Sequence, residues 1–160
     1  MLKEKDRLLM KELIEDSRQK INRLAEKCHM TRQSVYTKIN SFRRSGVNFT
    51  IDINPEKVGL NMKVYILIEA EPQAKFREEA DTQIRQFKEV TQVHHTLGRF
   101  DIIVEALVKE RDDLRNLLKK IHALPAVKKT ETFIVYETTK FNMKDPIIEA
   151  LSGSSSELSS

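Results

Sequence analysis

Between Lys5 and Glu15 the apolar residues Leu8, Leu9, Leu13 and Ile14 recur at helical spacing and predict a first amphipathic helix, with Asp6 placed early enough to suit its positive end. Ile21, Leu24, Ala25 and Cys28 define a second, shorter helix that ends at His29 and Met30. Thr31 restarts the pattern as an N-cap. From about Arg32 to Ser45 a third helix carries Val35, Ile39 and Phe42 on one stripe, and Gly46 stops it. Three helices with facing stripes can share one small core, and the second and third have the layout of a helix-turn-helix.

The pattern then changes to alternation, the signature of strands. Phe49, Ile51 and Ile53 alternate with polar neighbours and predict a strand that Asn54 and Pro55 break. Lys63 to Glu71 predicts another, with Val64, Ile66, Ile68 and Ala70 on one face and Pro72 closing it. A helix follows, carrying Phe76, Ala80, Ile84 and Phe87 on one side. Val90 to Leu97 and Asp101 to Lys109 read as a hairpin around Gly98 and Arg99, with Ile102, Val104, Ala106 and Val108 inward. Leu114, Leu117, Leu118 and Ile121 mark a last long helix, and Val127 to Lys140 a strand rich in Thr, Val, Ile and Tyr.

That order is βαββαβ, and its halves echo each other 38 positions apart: Ile66 with Val104, Phe76 with Leu114, Ala80 with Leu118. A duplicated split βαβ unit gives a ferredoxin-like sandwich whose helices cover one sheet face. The other face needs a partner, most economically a second copy. The expected fold class is therefore α+β: a winged-helix-like helix-turn-helix domain over 1–47, a linker strand and hinge over 48–61, a ferredoxin-like domain over 62–141 and a tail over 142–160. From about residue 152 the tail is Ser-rich and cannot offset its own ordering entropy, so disorder is expected there.

Charge separates the two parts. Residues 1–55 hold 12 basic and 7 acidic side chains, whereas residues 56–160 hold 16 and 17, so the net +4 resides entirely in the first third. Between Ser17 and Gly46 stand Arg18, Lys20, Arg23, Lys27, Arg32, Lys38, Arg43 and Arg44 against one acid, Glu26. A solvated face normally mixes both signs; this one is the footprint of a phosphate-binding surface. With Val35, Ile39 and Phe42 inward, a helix of about 3.6 residues per turn points Gln33, Tyr36, Thr37 and Asn40 outward as base readers. Thr31, which opens that helix, is a further expected DNA contact. Arg32, Lys38 and Arg43 flank the stripe and, with Arg23 and Lys27, can reach phosphates of double-stranded DNA. The helix N-terminus penetrates the groove deepest, which weights Gln33 and Thr37.

The single cysteine, Cys28, excludes an intrachain disulfide and a thiol metal cluster, and a reducing cytoplasm is the expected setting. No apolar run approaches the roughly 20 residues a bilayer span needs, so no membrane partner is expected.

The helix-turn-helix, the connector closed by Asn54, Pro55 and Glu56-Lys57-Val58-Gly59-Leu60, and the βαββαβ order together resemble the Lrp/AsnC family, the feast/famine regulators, over about residues 4–141. The specific pieces are Asp6-Arg7-Leu8-Leu9, Leu24-Ala25-Glu26, Ser34-Val35 through Ile39 to Ser45-Gly46-Val47, and Thr96-Leu97-Gly98-Arg99-Phe100-Asp101. The resemblance implies a bacterial or archaeal type of transcriptional regulator that forms homodimers, often assembles into octamers, and binds an amino acid or similar small effector between dimers. No cofactor is implied. The family's effector site matches Gly98 and Asp101 in the hairpin and Thr130 and Thr132 in the last strand, with Arg99 between them. Asp101 suits an ammonium group, and the threonines a carboxylate or side chain. Two positions depart from the family pattern: Arg99 stands where acidic or small polar residues are common, and His29 replaces the usual turn glycine. Histidine visits positive φ more readily than most residues, so the turn is expected to tolerate it.

Two other functions share this layout. Subunits of sirohaem decarboxylases look like the same two-part arrangement, and His94 and His95 lie on the strand entering the hairpin. Adjacent strand residues face opposite ways, so the pair cannot hold one metal, and no GxGxxG, Walker, HExxH, CxxC or GxSxG spacing occurs. A nucleoid-type architectural protein would use the same basic surface with little sequence preference. RNA binding by the sheet is disfavoured, because Asp101 to Lys109 lacks the stacking aromatics of an RNA-recognition strand.

Overall fold

Leu9, Leu13, Leu24, Ala25, Cys28, Val35 and Phe42 are buried together in one apolar cluster, and fourteen residues from Val64 to Ala126 form a second. The computed structural model describes residues 2–71 and 74–153, apart from the side chains of 74–77. The chain divides into two units that follow these cores: Met1–Ile51 with Lys140–Ser160, and Asp52–Thr139.

In the first unit, α1 (Glu4–Glu15), α2 (Ile21–Lys27) and α3 (Arg32–Arg44) are the three helices expected from the periodicity. The α2–α3 turn depends on His29, the one non-glycine residue with positive φ among those described, at +50°. That conformation lets the Met30 N–H wrap back to the Ala25 carbonyl at 2.9 Å and close α2. Gly46, at φ +93°, does the same for α3, where the Val47 N–H reaches the Phe42 carbonyl at 3.0 Å. A further helix, α6 (Lys144–Ser152), packs on α1. It occupies about half of what reads in sequence as a tail, and the Ser-rich residues 154–160 lie outside those described.

The second unit holds β1 (Met62–Ala70), α4 (Ala74–Ile84), β2 (Val90–His95), β3 (Ile102–Val108), α5 (Arg111–His122) and β4 (Val127–Ile134). The strands form one antiparallel sheet in the order β2-β3-β1-β4, the ferredoxin-like arrangement. Ile66 and Val104, equivalent in the internal repeat, lie opposite each other in the register. Alternate residues of β1 and β3 are fully buried beneath helix residues Ala80, Ile84, Leu114, Leu117 and Ile121. Phe76 lies outside the described side chains. The face away from the helices carries Tyr65, Leu67, Ile103, Glu105 and Leu107, all half-buried within the single chain.

Two strand expectations are corrected. Residues 48–54 form no strand, because no described strand pairs with them, and a short 3-10 turn follows at Pro55–Val58. β4 ends at Ile134 instead of Lys140: Ile134 pairs with Val64, and Val135 makes one last bond to the Lys63 carbonyl, close to the start of β1 at Met62.

Candidate nucleic-acid interface and effector site

The recognition surface rests on how α3 is held. Thr31 caps it as expected: its hydroxyl oxygen accepts from the Ser34 N–H at 3.1 Å and donates to Ser34 Oγ at 2.8 Å. The hydroxyl is thereby committed to fixing the helix start. Gln33, Tyr36 and Thr37 are exposed, Tyr36 by 56%, while Asn40 is half-buried. The apolar stripe of Val35 and Phe42 thus turns three of the four expected base readers, Gln33, Tyr36 and Thr37, outward.

Two of the expected phosphate ligands are engaged within the protein. Lys38 Nζ lies 2.8 Å from Asp6 Oδ2. Asp6 is one of two buried charged residues among those described, the other being Asp81. Lys27 pairs with Glu12, whose carboxyl is held below its ordinary value first by that hydrogen bond and also by Gln19. Both pairs pin the helix-turn-helix to α1. Asp6 was missed as a structural residue, yet it lies on the same stripe as Leu9 and Leu13, at positions i, i+3 and i+7, which is the signal that could have found it. Arg43 lies over the Phe49 ring at 5.2 Å. Among the described residues no ion pair engages Arg23, Arg32 or Arg44, and all three are exposed.

At one end of the sheet the register brings the hairpin loop and β4 together. Ile68 lies opposite both Ile102 and Thr130, so residues 96–101 sit at the same level as the start of β4. Asp101 Oδ2 accepts from the Ala70 N–H at 2.8 Å, and its own N–H donates to the Ile68 carbonyl at 2.9 Å. Thr96 Oγ1 donates to the Phe100 carbonyl at 2.6 Å and shapes the loop around Gly98. Arg99 reaches across to Glu131 on β4. Thr130 and Thr132 pair with Ile68 and Ile66, whose side chains are in the core, so both threonines face the helix side while Glu131 faces the other. Thr130 Oγ1 is 2.7 Å from His122 Nε2, a neighbour that the sequence did not mark. The five expected effector residues therefore share one sheet end but are divided between its faces.

His94 and His95 diverge as strand geometry requires. His95 lies 3.2 Å from Asp81 on α4, and His94 bonds Gln92 on the opposite face. Among the described residues no group of three or more His, Cys, Asp or Glu is arranged to hold a metal, and no helix is long and apolar enough to cross a membrane.

Two family models match the chain. Residues 63–145 match the Lrp/AsnC ligand binding domain, and residues 2–47 a winged helix-turn-helix DNA-binding module. The chain is 30% identical over 148 residues to the HTH-type transcriptional regulator FL11 of Pyrococcus abyssi, covering 91% of this chain and 97% of that one. Among solved structures, Escherichia coli AsnC superposes with a TM-score of 0.80 at 22% identity, covering 89% of this chain and 97% of its own. A Neisseria meningitidis transcriptional regulator in complex with L-Met superposes with a TM-score of 0.84 at 17% identity, covering 94% and 99%.

Proposed function

Since the chain belongs to the Lrp/AsnC family of DNA-binding transcriptional regulators, which are not enzymes, we propose that it reads a specific, pseudo-palindromic operator as a cytoplasmic homodimer and answers to an amino-acid effector. The helix-turn-helix domain supplies DNA contacts and the ferredoxin-like domain supplies dimerisation and effector binding. The observation that carries the DNA reading is the outward stripe of Gln33, Tyr36 and Thr37 on a capped helix, flanked by exposed Arg23, Arg32 and Arg43. A glutamine near the start of such a helix suits the paired donor and acceptor of adenine in the major groove. Arg23, Arg32 and Arg43 are the phosphate ligands, Asn40 is a secondary base contact, and Thr31, Lys27 and Lys38 act chiefly by placing the helices. The effector reading is supported by Gly98, Arg99, Asp101, Thr130 and Thr132 lying toward one end of the sheet, and the regulator that was solved with L-Met shares this fold.

Selection of bound duplexes from a random pool tests the first half. A recurrent two-fold motif is expected, Gln33→Ala relaxes one position of each half-site at a cost of about 1–3 kcal/mol, and Arg23→Ala lowers the salt slope of binding by about 1 for each half-site. A pool that returns no motif overturns sequence specificity in favour of architectural binding. Thermal-shift screening against the twenty amino acids tests the second half, because a ligand at 100 times its dissociation constant adds about 2.7 kcal/mol.

A further inference from the structure

One ion pair joins the hairpin loop to β4. Arg99 Nη2 lies 2.9 Å from Glu131 Oε1, and Lys129 Nζ lies 3.5 Å from the same oxygen. The Arg99 side chain is 67% exposed and that of Glu131 32%, and the guanidinium is steadied over the Phe100 ring at 5.1 Å. An exposed pair of this kind contributes little net stability, so exchanging one carboxylate for another costs little. A planar guanidinium also matches carboxylate geometry better than any other side chain does.

The neighbouring polar groups are differently placed. The Asp101 carboxylate closes the end of β1 through the Ala70 N–H, and Thr130 is held by His122. Arg99 and Lys128 both have carboxylate partners at this sheet end that an incoming anion can replace, and of the two only Arg99 offers the planar fork. When Glu131 is displaced it is not stranded, because Lys129 remains beside it.

We propose that Glu131 is an internal competitor for Arg99, occupying in the free protein the position that the carboxylate of the amino-acid effector takes. This rests on the hairpin being the effector site. Binding then exchanges Glu131 for the ligand and releases the loop of residues 96–101 from β4, so the same step that selects a carboxylate also loosens the hairpin.

The test compares the full-length protein with Glu131→Gln, Arg99→Gln and Glu69→Gln variants, titrated calorimetrically with each amino acid that shifts the wild-type melting curve and with the corresponding amino-acid amide. Glu69 is the control: it lies on the same sheet face but pairs with Lys128 at 3.0 Å instead of Arg99. Glu131→Gln is expected to bind the free acid about two- to fivefold tighter, the size of an exposed ion pair, and the amide no tighter. Arg99→Gln is expected to lose the preference for acid over amide, and Glu69→Gln to behave as wild type. An unchanged or weaker affinity in Glu131→Gln overturns the competitor role, as does an equal gain for acid and amide or an equal gain in Glu69→Gln. If no amino acid binds either the wild type or Glu131→Gln, the amino-acid effector reading itself fails, and this inference with it.

Discussion

Lys38 stands on the recognition helix with its ammonium 2.8 Å from Asp6, whose side chain is only 9% exposed, so its charge is spent on placing α3 against α1. Removing the lysine leaves a carboxylate in an apolar setting, and that cost outweighs the loss of one phosphate contact. Lys38→Ala is expected to lower unfolding stability by about 1–3 kcal/mol, as read by urea denaturation, while the double variant with Asp6→Asn recovers part of that loss. The sequence marked Lys38 as a ligand because charge and helical phase are visible in one dimension. Its partner is 32 residues away, and only the packing of α1 on α3 brings the two together. His29 shows the opposite case: the resemblance puts a turn glycine at its position, a positive φ was therefore expected there, and the structure has it at +50°.

At the scale of elements, periodicity located every helix and strand whose partner lies within the βαββαβ unit or the three-helix core. It failed where partners decide. Residues 48–54 alternate as a strand does but no described strand pairs with them, and the ladder of β4 stops near the start of β1. The α6 helix escaped notice because Ile147, Ile148 and Leu151 make too short a run to stand alone; Ile148 and Leu151 are half-buried, and the helix packs on α1. Ending the chain after Asn142 is expected to destabilise the DNA-binding unit by about 1–3 kcal/mol, the partial burial of two aliphatic side chains, with the sheet unit unaffected. Amide hydrogen exchange of α1 compared with β1 and β3 measures this directly.

The whole molecule presents a half-buried sheet face with a polar centre. Burial works to raise the Glu105 carboxyl, but hydrogen bonds from Tyr65, Thr91 and Lys63 outweigh it and hold the group below its ordinary value of 4.5. Glu89 is lowered likewise, first by Lys120. Because the folded values lie below the unfolded ones, this stability is complete above about pH 4.5 and is lost as pH falls through the lowered values. Urea midpoints measured from pH 6 down to 3 are expected to fall, and Glu105→Gln flattens that fall. In the proposed homodimer a second copy would cover Leu67, Ile103 and Leu107, so Ile103→Asp is expected to give a monomer in light scattering where the wild type gives a dimer, and to abolish the concentration dependence of the melting temperature.

Alternation, helical phase and the placement of cations are properties of neighbours along the chain, and with the turn chemistry at Thr31, His29 and Gly46 they determined the two-part α+β architecture and the outward face of α3. Which cations stay available to a phosphate, where a strand stops, and that Arg99 meets Glu131 depend on residues brought together from 32 or more positions away at most of these contacts. Burial and ion pairing act through space, so only the folded chain decided them.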